Sequence, residues 1–430
     1  MSTQITRRDL LRFSAVGLGG IAVAGLAACA PGTPGGAATT ASAGPLTDFA
    51  FASWSMSQDV DKAALAPAIN ALAAKGGIEI ATPSYPFNEY LNQLTLQVRG
   101  GQFTGAAQLD VAWLSSMVAL GKLVDLGSYA KGRDFTDAGL RAGSFDGTQY
   151  GLPWTIAAIG LISNSELFDR AGVTSAPTTI DEFEDALRAL KGLGDGIVPY
   201  AASTKTAQLK DFIVWAQTFG SPIIEDGKCT LGDDASIEAV TWYKKLFDDG
   251  LITADVDRAA ARTLFSQGRA ALFDDAPIGR SMIIKNTPDP ALADKMVPIA
   301  RPVLKKGDVP QELLWGHLIV VVDGEGSDSA SEFAQWLTSD PEQTVSYFEA
   351  LGQPPATAAA LESKVFESNA FVKTFTDEIT KDAAPSPLWP FAQYGQMETA
   401  IADQVQAVLV GGVSPADAMK AAGKQVSALL

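Results

Sequence analysis

The chain reads as an α/β protein of two lobes, each a mainly parallel sheet flanked by helices. From Asp48 onward, strand-like apolar runs alternate with amphipathic stretches, and that alternation builds parallel sheets covered on both faces. A length of 430 residues exceeds what one hydrophobic core usually serves, so the chain is expected to divide. Residues 150–190 add strand, helix, proline turn and helix in succession.

Taken in order, residues 49–54 form a short apolar strand, and 60–73 are helical with Leu65, Ile69 and Leu72 on one face. Gly76-Gly77 turns the chain into Ile78-Glu79-Ile80, a second helix covers 90–98, and 109–114 is the third strand. Ligands of such sheets bind beyond the carboxyl ends of the strands. Ser53 and Trp54 end the first strand, Tyr85 and Phe87 follow the second, and Trp113 ends the third, so aromatic groups gather at one edge. Pro153 fixes its own φ and biases Leu152 towards an extended conformation, a rigid approach to Trp154 and the apolar strand 155–162. Thr179 and Glu182 are spaced as a capping box for a helix carrying Ile180, Phe183, Leu187 and Leu190. A helix over 209–219 contains Trp215, Asp226-Gly227 marks a hairpin, and a helix over 235–249 stops at Gly250. Residues 313–322 form a strand through Trp315-Gly316. Ser329 and Glu332 are spaced as a second capping box, and Asp340-Pro341 starts a helix closed by Gly352. A proline-rich loop over 383–391 carries Trp389, and two helices close the chain.

The N-terminus reads as an address. Arg7-Arg8 sits before an apolar run over 13–28 that is short for a membrane span and suits a signal segment. Leu26-Ala27-Ala28-Cys29 is similar to a lipobox, whose cysteine becomes a lipidated N-terminus; several acyl chains hold a protein firmly at a membrane. Residues 1–28 are therefore expected to be a twin-arginine lipoprotein signal, and 29–47, small and uncharged, a flexible tether. An uncleaved anchor helix is the competing reading of residues 1–28. With Cys29 lipidated, Cys229 has no partner for a disulfide, and a packed small side chain is its ordinary role. The net charge is −17, and the signal segment contributes +2 through Arg7, Arg8 and Arg12 against Asp9, leaving the exported part near −19. That excess argues against nucleic acid and polyanionic ligands.

Several stretches together resemble one family. They are YGLPW over 150–154 with the helical units behind it, DVAW over 110–113 followed by LVDL over 123–126, and YKKL over 243–246 with Gly250-Leu251. To these are added FSQGRAAL over 265–272 with Asp275-Ala276-Pro277, and Gln353-Pro354-Pro355. The string resembles the bacterial extracellular solute-binding proteins of ABC sugar importers, the maltodextrin-binding-like group, over about residues 46–430. The resemblance implies a two-lobed periplasmic-binding-protein-like fold with hinge strands, a carbohydrate held between the lobes, and a membrane permease as partner. It also implies a lipid-anchored, monomeric location on the outer face of the cytoplasmic membrane, and no cofactor. The expected division is 48–153 with about 264–318 in the N-terminal lobe, and 154–263 with about 319–430 in the C-terminal lobe. Ala276 and Ile278 replace a glycine and an aromatic of the family pattern, and no arginine follows Pro354.

Sugars offer C–H faces to aromatic rings and hydroxyls to planar polar side chains, each stacked ring adding about 0.5–1.5 kcal/mol and each hydrogen bond about 1 kcal/mol. The candidate ligand residues are thus Ser53, Trp54, Tyr85, Trp113, Trp154, Trp215, Asp274, Asp275, Trp315, His317, Gln353 and Trp389, with Cys29 for lipidation. Trp242 and Trp336, on amphipathic helices, read as core. His317, the only histidine, is more ordinarily a wall residue than a base, and no His or Cys cluster has metal spacing. A secreted glycosidase would need two carboxylates across a cleft, and nothing in the sequence pairs Asp274 or Asp275 with a second. A structural envelope lipoprotein without a ligand is the third reading.

Overall fold

A computed structural model describes residues 46–430 except Asp195. The expected signal, Cys29 and all but the last two residues of the expected tether lie outside the described residues. The first lobe opens with β1 (Phe49–Ala52), α1 (Asp59–Gly76), β2 (Ile80–Ala81), α2 (Phe87–Arg99), β3 (Gly105–Asp110) and α3 (Leu114–Val118). Strand β1 lies parallel to both β2 and β3. The fourteen-residue β4 (Gly151–Asn164), buried throughout, then leaves for the second lobe.

There α4 (Ile180–Lys191) carries the expected capping box, with Thr179 accepting from the Glu182 N–H and the Glu182 carboxylate accepting from the Thr179 N–H. Next come β5 (Val198–Ala201), α5 (Phe212–Thr218), α6 (Asp234–Asp248), α7 (Arg258–Ser266), β6 (Ala270–Asp275), α8 (Ile278–Asn286) and β7 (Met296–Ile299). Strand β6 runs parallel to β5 and antiparallel to the far half of β4, which also pairs with β7. The chain returns on β8 (Glu312–Val322), antiparallel to both β4 and β3. Helices α9 (Ser327–Ser339) and α10 (Pro341–Leu351) follow, and α11 (Tyr394–Gly411) and α12 (Pro415–Ser427) end the chain. One sheet thus runs β2-β1-β3-β8-β4-β6-β5, with the crossing strands β4 and β8 at its middle.

This path corrects the expected division of the chain. Residues 264–299 do not return to the first lobe, because β6 and β7 both pair with the far half of β4. Residues 327–351 lie on the first lobe, because β8 delivers its carboxyl end there; Phe333 packs 5.3 and 5.0 Å from Phe49 and Phe51. The second capping box is also absent. Helix α9 begins at Gly326 in a left-handed conformation, and Ser329 accepts a hydrogen bond from the Thr47 N–H instead.

Each face of the first-lobe sheet has its own core. Phe49, Phe51, Leu65, Ile69, Phe333 and Leu337 fill one face, under α1, α9 and α10. Tyr90, Leu94, Leu109, Leu318 and Val320 fill the other, under α2. The second lobe packs Phe183, Tyr200, Trp215, Trp242, Ile401 and Met419 together, and Phe265, Phe273, Ile283 and Phe375 behind β6. At the crossing, Gly316 of β8 faces Ile156 of β4, and a Cβ there would stand 2.3 Å from the Thr155 carbonyl oxygen. Gly316→Ala is therefore expected to cost about 1–3 kcal/mol, read as a lower urea midpoint with an unchanged slope.

Candidate functional site

The carboxyl ends of the first-lobe strands bring aromatic rings together as the alternation implied. Trp54 leaves β1 in a short 3-10 turn capped by Ser53. Its ring meets Phe87, Tyr90, Trp113 and His317 at centroid distances of 5.4, 5.2, 5.4 and 4.9 Å. Trp315 reaches His317 from β8 at 4.7 Å, and Phe87 lies 5.1 Å from Trp113. Trp54 is buried and Phe87 is 42 % exposed, so the group runs from core to rim. Tyr85 sits at the same loop, its hydroxyl accepting from Gln97 Nε2 at 2.5 Å. Trp113 and Trp389 each pack against both the first-lobe and the second-lobe cores. Ser115 and Ser116 donate hydrogen bonds to the carbonyls of Phe391 and Ala392 at 3.3 and 3.1 Å, so the lobes touch here. Trp389 is held by an indole N–H donated to Glu398 at 3.3 Å.

A buried polar relay underlies these rings. Ser53 Oγ donates to Gln108 Oε1 at 2.5 Å, and Gln108 Nε2 stands 3.3 Å from His317 Nδ1. With the Gln108 amide donating, His317 accepts at Nδ1 and stays neutral. Burial pushes its pKa down to about 3, consistent with a wall residue. Sequence reasoning missed Gln108, although a glutamine inside the apolar strand 105–110 is a visible signal.

Four of the expected residues sit elsewhere. Pairing between β8 and β4 slips from Thr155 to Pro153, and Trp154 turns to the opposite face of the sheet. There it stacks on Tyr347 at 4.4 Å instead of joining Trp54. Trp215 lies inside the second-lobe core, with the Arg301 guanidinium over its ring at 4.6 Å. Asp274 accepts from Arg301 Nη2 at 2.8 Å and from the Tyr200 hydroxyl at 2.5 Å. Asp275 is gripped by Arg262 through two bonds of 2.6 and 2.8 Å. The two neighbouring carboxylates are thus consumed by separate guanidinium groups, because successive strand residues face opposite sides. The Arg301 cluster also contains Glu312, whose Oε1 accepts from the Arg301 backbone N–H at 2.6 Å; burial raises its pKa to about 7.

A second space between the lobes has a volume of about 870 Å³. It is bounded by the first turn of α1 and the end of α10 on one side and by α7 and α8 on the other. Asp61 lines it, and burial lifts its pKa to about 6 with Ser55 as its polar neighbour and no cation acting on it. Ser55 and Gln353 lie against the Tyr347 hydroxyl. None of Ser55 Oγ, Tyr347 OH, Gln353 Oε1, Gln353 Nε2 or Trp154 Nε1 has a hydrogen bond of good geometry. Among the described residues no group of three His, Cys, Asp or Glu is placed to hold a metal.

The His317 shift sets a pH dependence. Its folded pKa lies below the unfolded value, so the unfolded chain takes up the proton first and stability falls as pH drops from 6.5 towards 3. The raised carboxyls of Asp61 and Glu312 act with the opposite sign, and comparison with a variant cancels them. The melting temperature of wild type minus that of His317→Gln is expected to shrink between about pH 7 and about pH 4, as calorimetry of both proteins would measure.

Comparison with known proteins agrees with this architecture. The family model described as bacterial extracellular solute-binding protein matches residues 67–374. A Brucella abortus (strain 2308) protein with no more specific name than binding protein is 23% identical over 367 residues, 83% of this chain and 87% of that one. The GacH receptor of Streptomyces glaucescens GLA.O, solved unliganded and with acarbose, superposes with a TM-score of 0.79 at 19% identity, covering 90% of this chain and 98% of that one. Maltose-bound T. maritima MalE3 gives 0.77 at 20% identity, covering 89% and 100%. Two lobes joined by crossing strands, and a family match over most of the chain's length, lead to one conclusion: the chain belongs to the bacterial extracellular solute-binding proteins.

Proposed function

We propose that this protein is the receptor of an ABC importer, capturing a carbohydrate between its lobes and presenting the closed form to a membrane permease. The observation that carries the reading is the set of rings at the carboxyl ends of β1 and β3, facing the Trp389 loop of the second lobe. Partly open indoles on both sides of a cleft suit the two C–H faces of a pyranose. GacH and MalE3, whose folds are similar, were solved with acarbose and maltose, which supports the same ligand class here. The role is binding and not turnover: Asp274 and Asp275, the carboxylates a glycosidase reading would use, are each tied to an arginine. A hinge movement gives the permease a shape to recognise.

The site proposed consists of Trp54, Trp113, Trp315 and Trp389 with Tyr85 and Phe87 at the rim, positioned by Ser53, Gln108 and His317. The protein acts as a monomer, exported by the twin-arginine signal and held by lipid on Cys29 at the outer face of the cytoplasmic membrane. Calorimetry against mono-, di- and trisaccharides tests the binding claim. Trp113→Ala should weaken whichever sugar binds by at least about tenfold, the loss of about 1.4 kcal/mol, measured at a temperature where the apo variant is folded; equal affinity would remove Trp113 from the site. Cys29→Ala should move the protein from the membrane fraction to the soluble one; retention at the membrane would disprove the lipid anchor.

A further inference from the structure

One guanidinium in the second lobe gathers four elements. Arg301, buried, stands in the segment that joins β7 to β8. Its Nη2 donates to Asp274 of β6 at 2.8 Å, and Asp274 in turn accepts from the Tyr200 hydroxyl of β5. The guanidinium carbon lies 4.6 Å from the centroid of the Trp215 ring of α5. The Arg301 backbone N–H donates to Glu312 Oε1 at 2.6 Å, and Nε is 3.6 Å from Glu312 Oε2. Glu312 is the first residue of β8 and is itself buried. Both walls of the ring group hang from that residue. Along β8, Trp315 and His317 follow it by three and five residues, about 10 and 17 Å at strand spacing. Beside it, Glu312 and Leu313 pair in parallel with Ala383 and Ala384, the root of the loop that carries Trp389. Pro385, Pro387 and Pro390 fix their own φ, so this loop transmits the placement of its root. Its far end is held by the hydrogen bond from Trp389 to Glu398.

We propose that Arg301 and Glu312 are positioning residues of the sugar site: the buried pair sets Trp315 and His317 on one wall in register with Trp389 on the other. The inference rests on the carbohydrate reading above and adds residues that stand behind the rings. Net stabilisation is a poor account of the pair. Desolvation of two buried charges offsets most of their attraction, and hydrophobic replacements of similar volume are often as stable. A planar guanidinium does fix direction, because it donates along set lines to carboxylates and stacks on an aromatic face. Asp274, Glu312 and Trp215 together therefore hold the start of the segment from Arg301 to Glu312 in one orientation. The lobe's other arginine pair on β6, Arg262 with Asp275, has an equally buried carboxylate and no such path to the rings. Asp275 points to the side of β6 opposite Asp274. That pair is the control for the first.

The test uses the exported protein labelled with 5-fluorotryptophan, read by fluorine NMR and by calorimetry with maltose, maltotriose and acarbose. Measurements are made at pH 8, above the value of about 7 to which burial raises Glu312, and at a temperature where each apo variant is folded. Glu312→Gln keeps an acceptor for the Arg301 N–H and removes the charge. Arg301→Lys keeps the charge and removes the planar fork, and Asp275→Asn is the control. The first two are expected to move the apo resonances of Trp315 and Trp389, to leave that of Trp336 in place, and to weaken the tightest of the three sugars at least about fivefold. Asp275→Asn is expected to change neither the two resonances nor the affinity. Resonances of Trp315 and Trp389 that stay in place in both variants overturn the proposal. Affinity equal to wild type overturns it too, as do equal effects from Asp275→Asn, since either leaves the pair a structural role only. Wild type that binds none of the three sugars counts against the carbohydrate reading alone, and the resonances still decide whether the pair places the rings.

Discussion

Two buried strands crossing between the lobes are the constraint on which the other features rest. Residues 151–159 of β4 pair with residues 313–320 of β8, and β8 then continues along β3 while β4 continues along β6. Backbone groups without water must be paired, so neither strand can slip without exposing its side chains on the wrong face. That fixed register sets Asp110, Thr155 and His317 side by side at the junction. It also places the ends of β1 and β3 against the second lobe. Residues 352–370 form a third connection, from the end of α10 to Phe371 and Phe375 of the second-lobe core, bridged to β4 at Thr155–Pro355, so a turn of the lobes must twist the strands and bend this segment together.

The two lobes treat buried charge differently. In the second, Asp211, Asp274 and Asp275 each have an arginine, and Arg301 also serves Glu312 and covers Trp215. A buried carboxylate without such pairing is costly. In the first lobe Asp61 has Ser55 as its polar neighbour and no arginine, and Ser55 and Gln353 lie against the Tyr347 hydroxyl.

How far the sequence foretold this depends on the range of each interaction. The rings at the ends of β1 and β3 were legible, because strand alternation and the carboxyl-edge rule are local. The Thr179–Glu182 cap was legible for the same reason, whereas the equally spaced Ser329 and Glu332 failed: a left-handed Gly326 starts that helix earlier. The exchange of segments between lobes was not legible, since it depends on which strand β6 chooses as partner. Trp154 was misplaced by a one-residue slip in pairing that no periodicity reveals. Asp61 and Tyr347 look like ordinary helical positions until α1 and α10 are brought together. Asp274 and Asp275 looked available because their arginines lie at 262 and 301, distant in sequence or on another helix.

The return of β8 has a consequence for how the protein is made. The first lobe obtains β8, α9 and α10 only after most of the second has been synthesised. A nascent chain ending before Glu312 would hold an incomplete sheet, with Phe49 and Phe51 facing no helix that carries Phe333. Contacts this far apart in sequence form slowly, so the amino-terminal third emerges early from the ribosome but matures late. During that interval its open sheet edge invites chaperones or aggregation.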